Sequence, residues 1–514
     1  MQYTLFGAID IGSSEMELKI FELSRGKGMR EIDCIRSRLE LGKDTYATGK
    51  ISTEKLEELC QVLNDFISIM KSYKVDAYRA YTTSAIREAK NRTILLDYLE
   101  KKTGLKIEVL DNAEQRFLDY KSVASKGEVF NRIIEKGTAI VDIGGGSVQI
   151  SLFDKDTLVT TQNIRLGILR IRERLGSMKV TRSHYAQLLD EMVEAQIDAF
   201  KKLYLKDRQI ENIIVVDDYL SYVIQRSAPR ENGVGCVGVE RYENFLLFLR
   251  EKNKTEIART YGLTEDNILL LAISSMLLKQ IVHSMDAKYI WAPGVTLCDG
   301  MAYEYAENRK IFALPHDFEQ DIIACARNIS KRYMGSKKRS ETLEMLVLTI
   351  FDSMKRIHGL GKRERLMLRL AALLHDCGRY ISLTNLGECG YDIIMSTEII
   401  GLSHLEREIV ANVVRYNHIE LDSYEELGKT TTLDRKSYLV IAKLTAILRV
   451  ANGLDRSHKE KFRNVSVGLQ KDELIITVKT NTDITLEQGL FEHKAQFFEE
   501  VYSIKPVIRQ KRVI

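Results

Sequence analysis

The sequence predicts an α/β protein whose first part is built twice, followed by an all-α region and a small α+β end. Three observations predict it. Residues 6–21 (FGAIDIGSSEMELKIF) and 138–153 (TAIVDIGGGSVQISLF) both read as strand, Asp, glycine turn, strand. Two such units about 130 residues apart indicate a duplicated domain. From about residue 310 to about residue 458, apolar residues then recur at helical spacing. The boundaries read as 1–125, 126–310, 311–460 and 461–514.

The two turns carry the first chemistry. Gly144, Gly145 and Gly146 take backbone angles closed to other residues. Their amides can wrap an anion, and Ser147 adds a hydroxyl. Asp142 enters the turn where a hard cation such as Mg²⁺ would sit. A tight hairpin with no ligand fits the same residues. Recurrence of the pattern at Asp10, with Ser13 and Ser14, favours a phosphate chain and a metal held from both sides.

Between the turns, residues 37–50 are charged and glycine-containing and read as a surface loop. Ser52 is an N-cap for a helix whose Leu56, Leu59, Leu63, Phe66, Ile67 and Met70 share a face. Residues 75–81 form a strand, and Thr83 or Ser84 caps a short helix carrying Arg87. That arginine either faces solvent or reaches the cleft. Residues 106–110 are a strand, Asp111 and Asn112 are caps, and Glu114 and Gln115 open a helix. An acid there is favoured by the helix dipole alone. After the second turn, Arg165, Arg170, Arg172 and Arg174 gather positive charge beside Gly167, as a basic helix face or a polyanion attractor. Residues 212–216 are a strand ending in Asp217-Asp218, residues 269–285 a helix, and 294–306 a loop entering a helix. Residues 464–479 alternate as a hairpin around Gln470-Lys471-Asp472, and 490–502 are helical.

Composition narrows the classes. The 514 residues are 45% apolar and 29% charged, an ordinary globular balance. A net charge of +4 makes no general case for a nucleic-acid partner. Seven cysteines without a CxxC argue against a disulfide framework or zinc ribbon, and for free thiols in the cytoplasm. The first residues, MQYTLFGAID, lack the pattern of a signal peptide. No apolar run approaches the about 18 residues of a membrane span, so no membrane partner is expected. Four prolines argue against long structureless linkers.

The helical region carries a second constellation. His375 and Asp376 end a helix, His358 precedes them and Asp455 follows. Mixed N and O ligands of this kind suit Mn²⁺, Fe²⁺, Zn²⁺ or Mg²⁺, and such an ion activates water for phosphoester hydrolysis. Ordinary core or surface histidines fit the same pattern.

Together, AIDIGSS (8–14), TTSAIREA (82–89), VDIGGGS (141–147), LGILRIRER (166–174), PGVTLCDGMAYE (293–304) and LHDCGRYIS (374–382) resemble the exopolyphosphatase and guanosine-pentaphosphate phosphohydrolase (Ppx/GppA) family nearly end to end. The resemblance implies two RNase H-like domains of the actin, sugar-kinase and Hsp70 superfamily, then a helical HD-type domain. It implies Mg²⁺-dependent release of terminal phosphate from inorganic polyphosphate, or of the γ-phosphate from guanosine pentaphosphate, by a protein that is commonly a homodimer. Asp142 matches the family's metal and catalytic aspartate, Gly144–Ser147 its phosphate loop, Ser13 and Ser14 the counterpart loop, and Arg87 the arginine beside the cleft. Departures bear on turnover. Gln149 stands where the family has Glu. Glu114 aligns with the first of two glutamates and Gln115 with the second, the water-activating base. An amide orients water but takes no proton, and general-base catalysis contributes roughly 10²–10⁴-fold. Val216-Asp217-Asp218-Tyr219 replaces a Gly-x-Ser-Gly turn, placing acids where a phosphate would sit. His358, His375, Asp376 and Asp455 match an HD metal set, and GECGYD (387–392) lacks a further histidine pair, which implies a single metal.

The expected activity is thus exopolyphosphatase-type phosphoanhydride hydrolysis. The alternatives are a polyphosphate- or (p)ppGpp-binding sensor with a weak cleft, and a metal-dependent HD phosphohydrolase regulated by the N-terminal half.

Overall fold

The computed structural model describes residues 3–512, apart from 179–184, 218, 228, 232–233, 313–315, 430, 432, 456, 458, 460 and 464. The chain divides into two compact units, Met1–Phe318 and Glu319–Ile514.

The first unit holds two sheets. One contains β1 (Tyr3–Ile11), β2 (Glu15–Ser24), β3 (Gly28–Arg38), β4 (Ala77–Thr82) and β5 (Glu108–Val109), in the order β3-β2-β1-β4-β5. The other contains β6 (Thr138–Ile143), β7 (Val148–Asp154), β8 (Thr157–Ile164), β9 (Asn212–Val216), β10 (Arg230–Glu231), β11 (Val234–Gly238) and β12 (Tyr289–Ala292), in the order β10-β11-β12-β9-β6-β7-β8. The predicted duplication is visible strand by strand. β1, β2 and β3 form an antiparallel meander with β4 parallel to β1. β6, β7, β8 and β9 repeat it. β1, β2, β6 and β7 are buried almost throughout; β1 and β6 are mostly apolar, as buried strands require, whereas β2 carries the buried charges Glu17 and Lys19. Edge strand β3 alternates exposed charged positions with half-buried ones, a pattern that blunts edge pairing.

Residues 37–50 depart from the predicted loop. β3 runs to Arg38, and Leu41–Thr48 is a helix that buries Leu41 and Thr45 and ends at Gly49 with φ 79°. Its charged residues are confined to the outer face, which gave the segment its loop-like composition. The helix Thr53–Tyr73 follows, with the Ser52 hydroxyl accepting from the Lys55 amide and Leu59, Leu63, Phe66 and Met70 buried.

The second unit is helical from Glu319 to Leu454, chiefly Lys337–Ser353, Lys362–Leu374, Leu386–Ser396, His404–Tyr416 and Arg435–Leu454. It closes with β13 (Val465–Gln470), β14 (Glu473–Lys479), the helix Thr485–Tyr502 and β15 (Lys505–Lys511). The hairpin lies where its alternation predicts. β15, which the sequence reading omits, pairs parallel to β14 after the helix crosses over. Two helices, Asn267–Met285 and Arg435–Leu454, are long and apolar enough to cross a membrane, and each is mostly buried within the fold.

Candidate active site

The two glycine turns share one geometry. The Gly12 amide donates to the Glu15 carbonyl and the Gly144 amide to the Ser147 carbonyl, both at 3.0 Å. Asp10 faces Glu17 across the β1–β2 pair, and Asp142 faces Gln149 across β6–β7. The turns meet closely, since a Cβ on Gly145 would stand 3.0 Å from the Ser13 Cβ. Ser13 Oγ lies 2.7 Å from Ser84 Oγ and 3.0 Å from the Tyr46 hydroxyl. A Cβ on Gly146 would stand 2.5 Å from that hydroxyl, so this position requires glycine. Ser14 Oγ reaches the Tyr219 hydroxyl at 2.9 Å, joining the halves a second time.

The helix Ile168–Ser177 holds the second turn from behind. Ile168 and Leu169 amides donate to the Gly144 and Gly145 carbonyls (3.1 and 3.0 Å), and Arg170 Nε donates to the Gly146 carbonyl at 3.0 Å. A Cβ on Gly167 would fall 2.1 Å from the Gly146 carbonyl carbon, so only glycine allows this approach.

A cleft opens between the turns. It is lined by the predicted Asp10, Ser13, Ser14, Gln115, Asp142, Gly144, Gly145, Gly146, Ser147 and Gln149. It is also lined by Glu15, Glu17, Thr83, Ser84, Asp119, Asp217 and Thr296, to which the sequence reading gave no place in the cleft or, for Asp217, only an obstructive one. Among the described residues no Lys, Arg, His or aromatic residue lines it. Several of its acids are already occupied. Glu17 meets Arg36 at 2.8 Å and accepts from Thr296. Burial would raise this carboxyl, yet Lys19 and Arg36 hold it below the usual range. Lys19 itself is buried against Asp299 at 2.8 Å and Glu31 at 3.0 Å. Asp217 accepts from the Tyr219 and Leu220 amides and from Ser274 Oγ, so it caps the helix Leu220–Ser227. Asp218 lies outside the described residues.

Asp119 differs from these acids. It is 6% exposed, and its Oδ2 has no hydrogen-bond partner. Burial first, then the charges of Asp142 and Asp10, push its carboxyl well above the usual range. Gln149, 4% exposed, likewise leaves Oε1 unpartnered. Such buried, unsatisfied oxygens among carboxylates suit Mg²⁺, which takes one or two carboxylates and completes its shell with water and substrate phosphate. Among the described residues no three His, Cys, Asp or Glu are spaced to cage a metal by themselves. The cleft therefore fits a Mg²⁺ ion held partly by phosphate and water.

Other expected site residues stand outside the lining. Glu114 is not in the lining: its carboxylate accepts from the Asp111 amide at 2.9 Å and closes a capping box on the helix Asn112–Ala124. Arg87 stands behind the lining, with Nη1 donating to the Leu110 carbonyl (2.8 Å) and to Gln115 Oε1 (3.2 Å). Arg170 is paired with Glu88 and Arg172 with Glu40, so neither is a lining cation.

Among the described residues no three members of the predicted helical metal set are spaced to cage an ion by themselves. His358 uses both ring nitrogens: Nε2–H donates to the Phe351 carbonyl and Nδ1 accepts from the Leu360 amide, each at 2.9 Å. His375 Nδ1–H donates to the Ala372 carbonyl at 2.7 Å, and burial lowers its pKa well below the usual value. Asp376 faces two guanidiniums, Arg339 at 3.4 Å and Arg379 at 3.1 Å. Arg339 also donates to Asn452 at 3.1 Å, on the helix that Asp455 terminates. Two arginines thus lie against Asp376, while His375 Nε2 is buried without a hydrogen-bond partner.

Twin sheets that present Asp–glycine turns to one acidic cleft define a phosphate-handling protein. The chain belongs to the Ppx/GppA phosphatase family, whose pattern it matches over residues 20–308, with Ppx/GppA phosphatase domain III over residues 323–496. It is 18% identical to a guanosine-5'-triphosphate,3'-diphosphate pyrophosphatase of Photobacterium profundum over 477 residues, 92% of this chain and 91% of that one. It is 27% identical to exopolyphosphatase 1 of Mycobacterium leprae over 199 residues, 38% of this chain and 56% of that one. An exopolyphosphatase structure from Cytophaga hutchinsonii shares the fold, with TM-score 0.52 and 19% identity, covering 60% of this chain and 100% of that one.

Proposed function

We propose that the chain is a phosphoanhydride hydrolase that releases terminal phosphate from inorganic polyphosphate. The observation that carries this reading is the composition of the cleft. Among the described residues, two glycine turns face it with six acidic side chains and no aromatic or basic one. A guanine base would find no ring to stack on there, whereas a bare phosphate chain with its counter-cations needs none. Asp10 and Asp142 would hold Mg²⁺, which when bound neutralises phosphate charge and polarises the scissile phosphorus. Ser13, Ser14 and Ser147 offer hydroxyls to the phosphate oxygens. The glycine turn lets the backbone approach them closely. The seven cysteines are free thiols, which supports a cytoplasmic setting.

The test is phosphate release from long-chain polyphosphate and from guanosine pentaphosphate, with Mg²⁺ and with EDTA. Mg²⁺-dependent release, faster from polyphosphate, is expected. Faster release from the nucleotide would overturn the substrate assignment. The two cleft amides, Gln115 and Gln149, favour one competing reading, a polyphosphate-binding sensor. Binding without release from either substrate would establish it.

A further inference from the structure

A second pocket opens in the same unit, at β8, the edge strand of the larger sheet. Its volume is about 540 Å³, within the range that holds a small organic ligand. It shares no lining residue with the acidic cleft. Its charge is the opposite. Among the described residues no carboxylate lines it, and two guanidiniums do, those of Arg165 and Arg174. The other two arginines of that basic run pair elsewhere, Arg170 with Glu88 and Arg172 with Glu40. Arg165 is exposed and makes no ion pair among the described residues.

The remaining walls suit a flat aromatic ring. Tyr204 and the buried Phe200 lie with ring centroids 5.6 Å apart, and Leu166 and Leu203 add apolar surface. Tyr204 stands on Lys201–Leu205, a π-helical turn that continues the helix Tyr185–Phe200. The Lys206 amide closes this turn by donating to the Lys201 carbonyl at 2.9 Å. Such turns are rare and frequently mark functional positions. Asn163 also lines the pocket, and its Oδ1 is buried without a hydrogen-bond partner. A buried carbonyl oxygen of this kind calls for a donor from a ligand. Asn163 lies opposite Gln149 in the β7–β8 register, so pocket and cleft are neighbours.

We propose that this pocket is a nucleotide site, separate from the phosphate cleft. The base stacks on Tyr204 and donates an exocyclic N–H to Asn163 Oδ1, while the phosphates meet Arg165 and Arg174. A bare phosphate chain would use the arginines and gain nothing from the apolar walls. The cleft, rich in acids and without a ring, has the reverse preference.

The experiment is calorimetric titration of the full chain with ATP, GTP and inorganic tripolyphosphate, for wild type, Arg165→Gln, Tyr204→Leu and Tyr204→Phe. Each titration is repeated with Mg²⁺ and saturating polyphosphate. At least one nucleotide should bind wild type with Kd below about 1 mM, and polyphosphate should change that Kd by less than about threefold. Arg165→Gln should weaken the binding about tenfold, through loss of a charge-assisted contact. Tyr204→Leu should weaken it about tenfold or more, and Tyr204→Phe, which keeps the ring, should stay within about threefold of wild type. No binding of either nucleotide would overturn the proposal. So would binding that Arg165→Gln or Tyr204→Leu leaves unchanged, or binding that polyphosphate displaces, which would put the nucleotide in the cleft. Tripolyphosphate binding as tight as the nucleotide's, and indifferent to Tyr204→Leu, would also overturn it and make the pocket a subsite for a phosphate chain. Binding is read directly, so a chain that releases no phosphate still tests the pocket.

Discussion

Among the described residues Glu487 is the most deeply buried acid of the second unit, at 0% exposure, and two donors meet it there. Lys461 Nζ lies 2.8 Å away and the Ser457 amide 3.1 Å. Burial works to raise this carboxyl, but the bonds from Lys461 and Ser457 hold it below the usual range. A carboxyl depressed by folding contributes stability above its unfolded value of about 4.3 and loses that contribution as pH falls through the folded value. Wild type should therefore weaken in acid. Lys461→Met leaves a buried carboxylate with its main partner gone, a loss of about 3 kcal/mol near neutral pH. The sign of the pH dependence then reverses at this site, because burial dominates and the neutral acid is preferred. Thermal unfolding between pH 4 and 8 should show the variant's deficit shrinking towards acid. A deficit that stays constant with pH would mean that Lys461 acts by packing alone. The cleft residues differ in how legible they are at this scale. Asp10, Asp142, Ser13 and Ser14 stand in a pattern that occurs twice, so their place in the lining could be read directly. Glu114 and Gln115 are adjacent in a first turn, where capping and cleft roles use the same residue types, and only the helix's rotation separates them. Asp119 had no signal, since a lone Asp in a helix has no motif.

At the scale of elements, the approach of the helix Ile168–Ser177 to the glycine turn rests on one position. Gly167→Ala would force a Cβ into backbone at 2.1 Å, with the Gly145 carbonyl oxygen and the Ser147 amide nitrogen both at 2.3 Å. Backbone cannot rotate away as a side chain can, so helix and turn must separate. A destabilisation of about 3 kcal/mol is expected, within the range for overpacking. Phosphate release should fall further than stability alone explains, because the Gly144, Gly145 and Gly146 carbonyls lose their donors together. Denaturant unfolding beside kcat at a temperature where the variant is folded checks this, and unchanged kcat would detach the helix from the site. The strands β1, β2, β6, β7 and β9 and the β13–β14 hairpin were legible because each is a strong local apolar or alternating pattern. The helix Leu41–Thr48 was not, since its buried face is only Leu41, Gly42 and Thr45 amid charge. The His358, His375, Asp376, Asp455 spacing was legible as a motif. Arg339 beside Asp376 was not, because it comes from a different helix and no local pattern marks it.

At the scale of the whole molecule, the division at Phe318 separates two hydrophobic interiors. The first contains the sheets and the cleft. The second is built around the buried helix Arg435–Leu454. Two cooperative units with separate cores unfold in two steps when their stabilities differ. A ligand raises only the step that destroys its site, by about 2.7 kcal/mol at 100 times its dissociation constant. For a unit of this size that is roughly 3–6 °C. Calorimetry of the full chain should therefore show two transitions, one of which rises when Mg²⁺ and polyphosphate are added together. Lys461→Met should lower the transition that the ligand leaves in place, because its pair lies entirely in Glu319–Ile514. Gly167→Ala should lower the one that the ligand moves. The two variants thus label the transitions independently of the ligand. If polyphosphate instead raises the transition lowered by Lys461→Met, the phosphate chain binds the helical unit, and the cleft assignment is wrong.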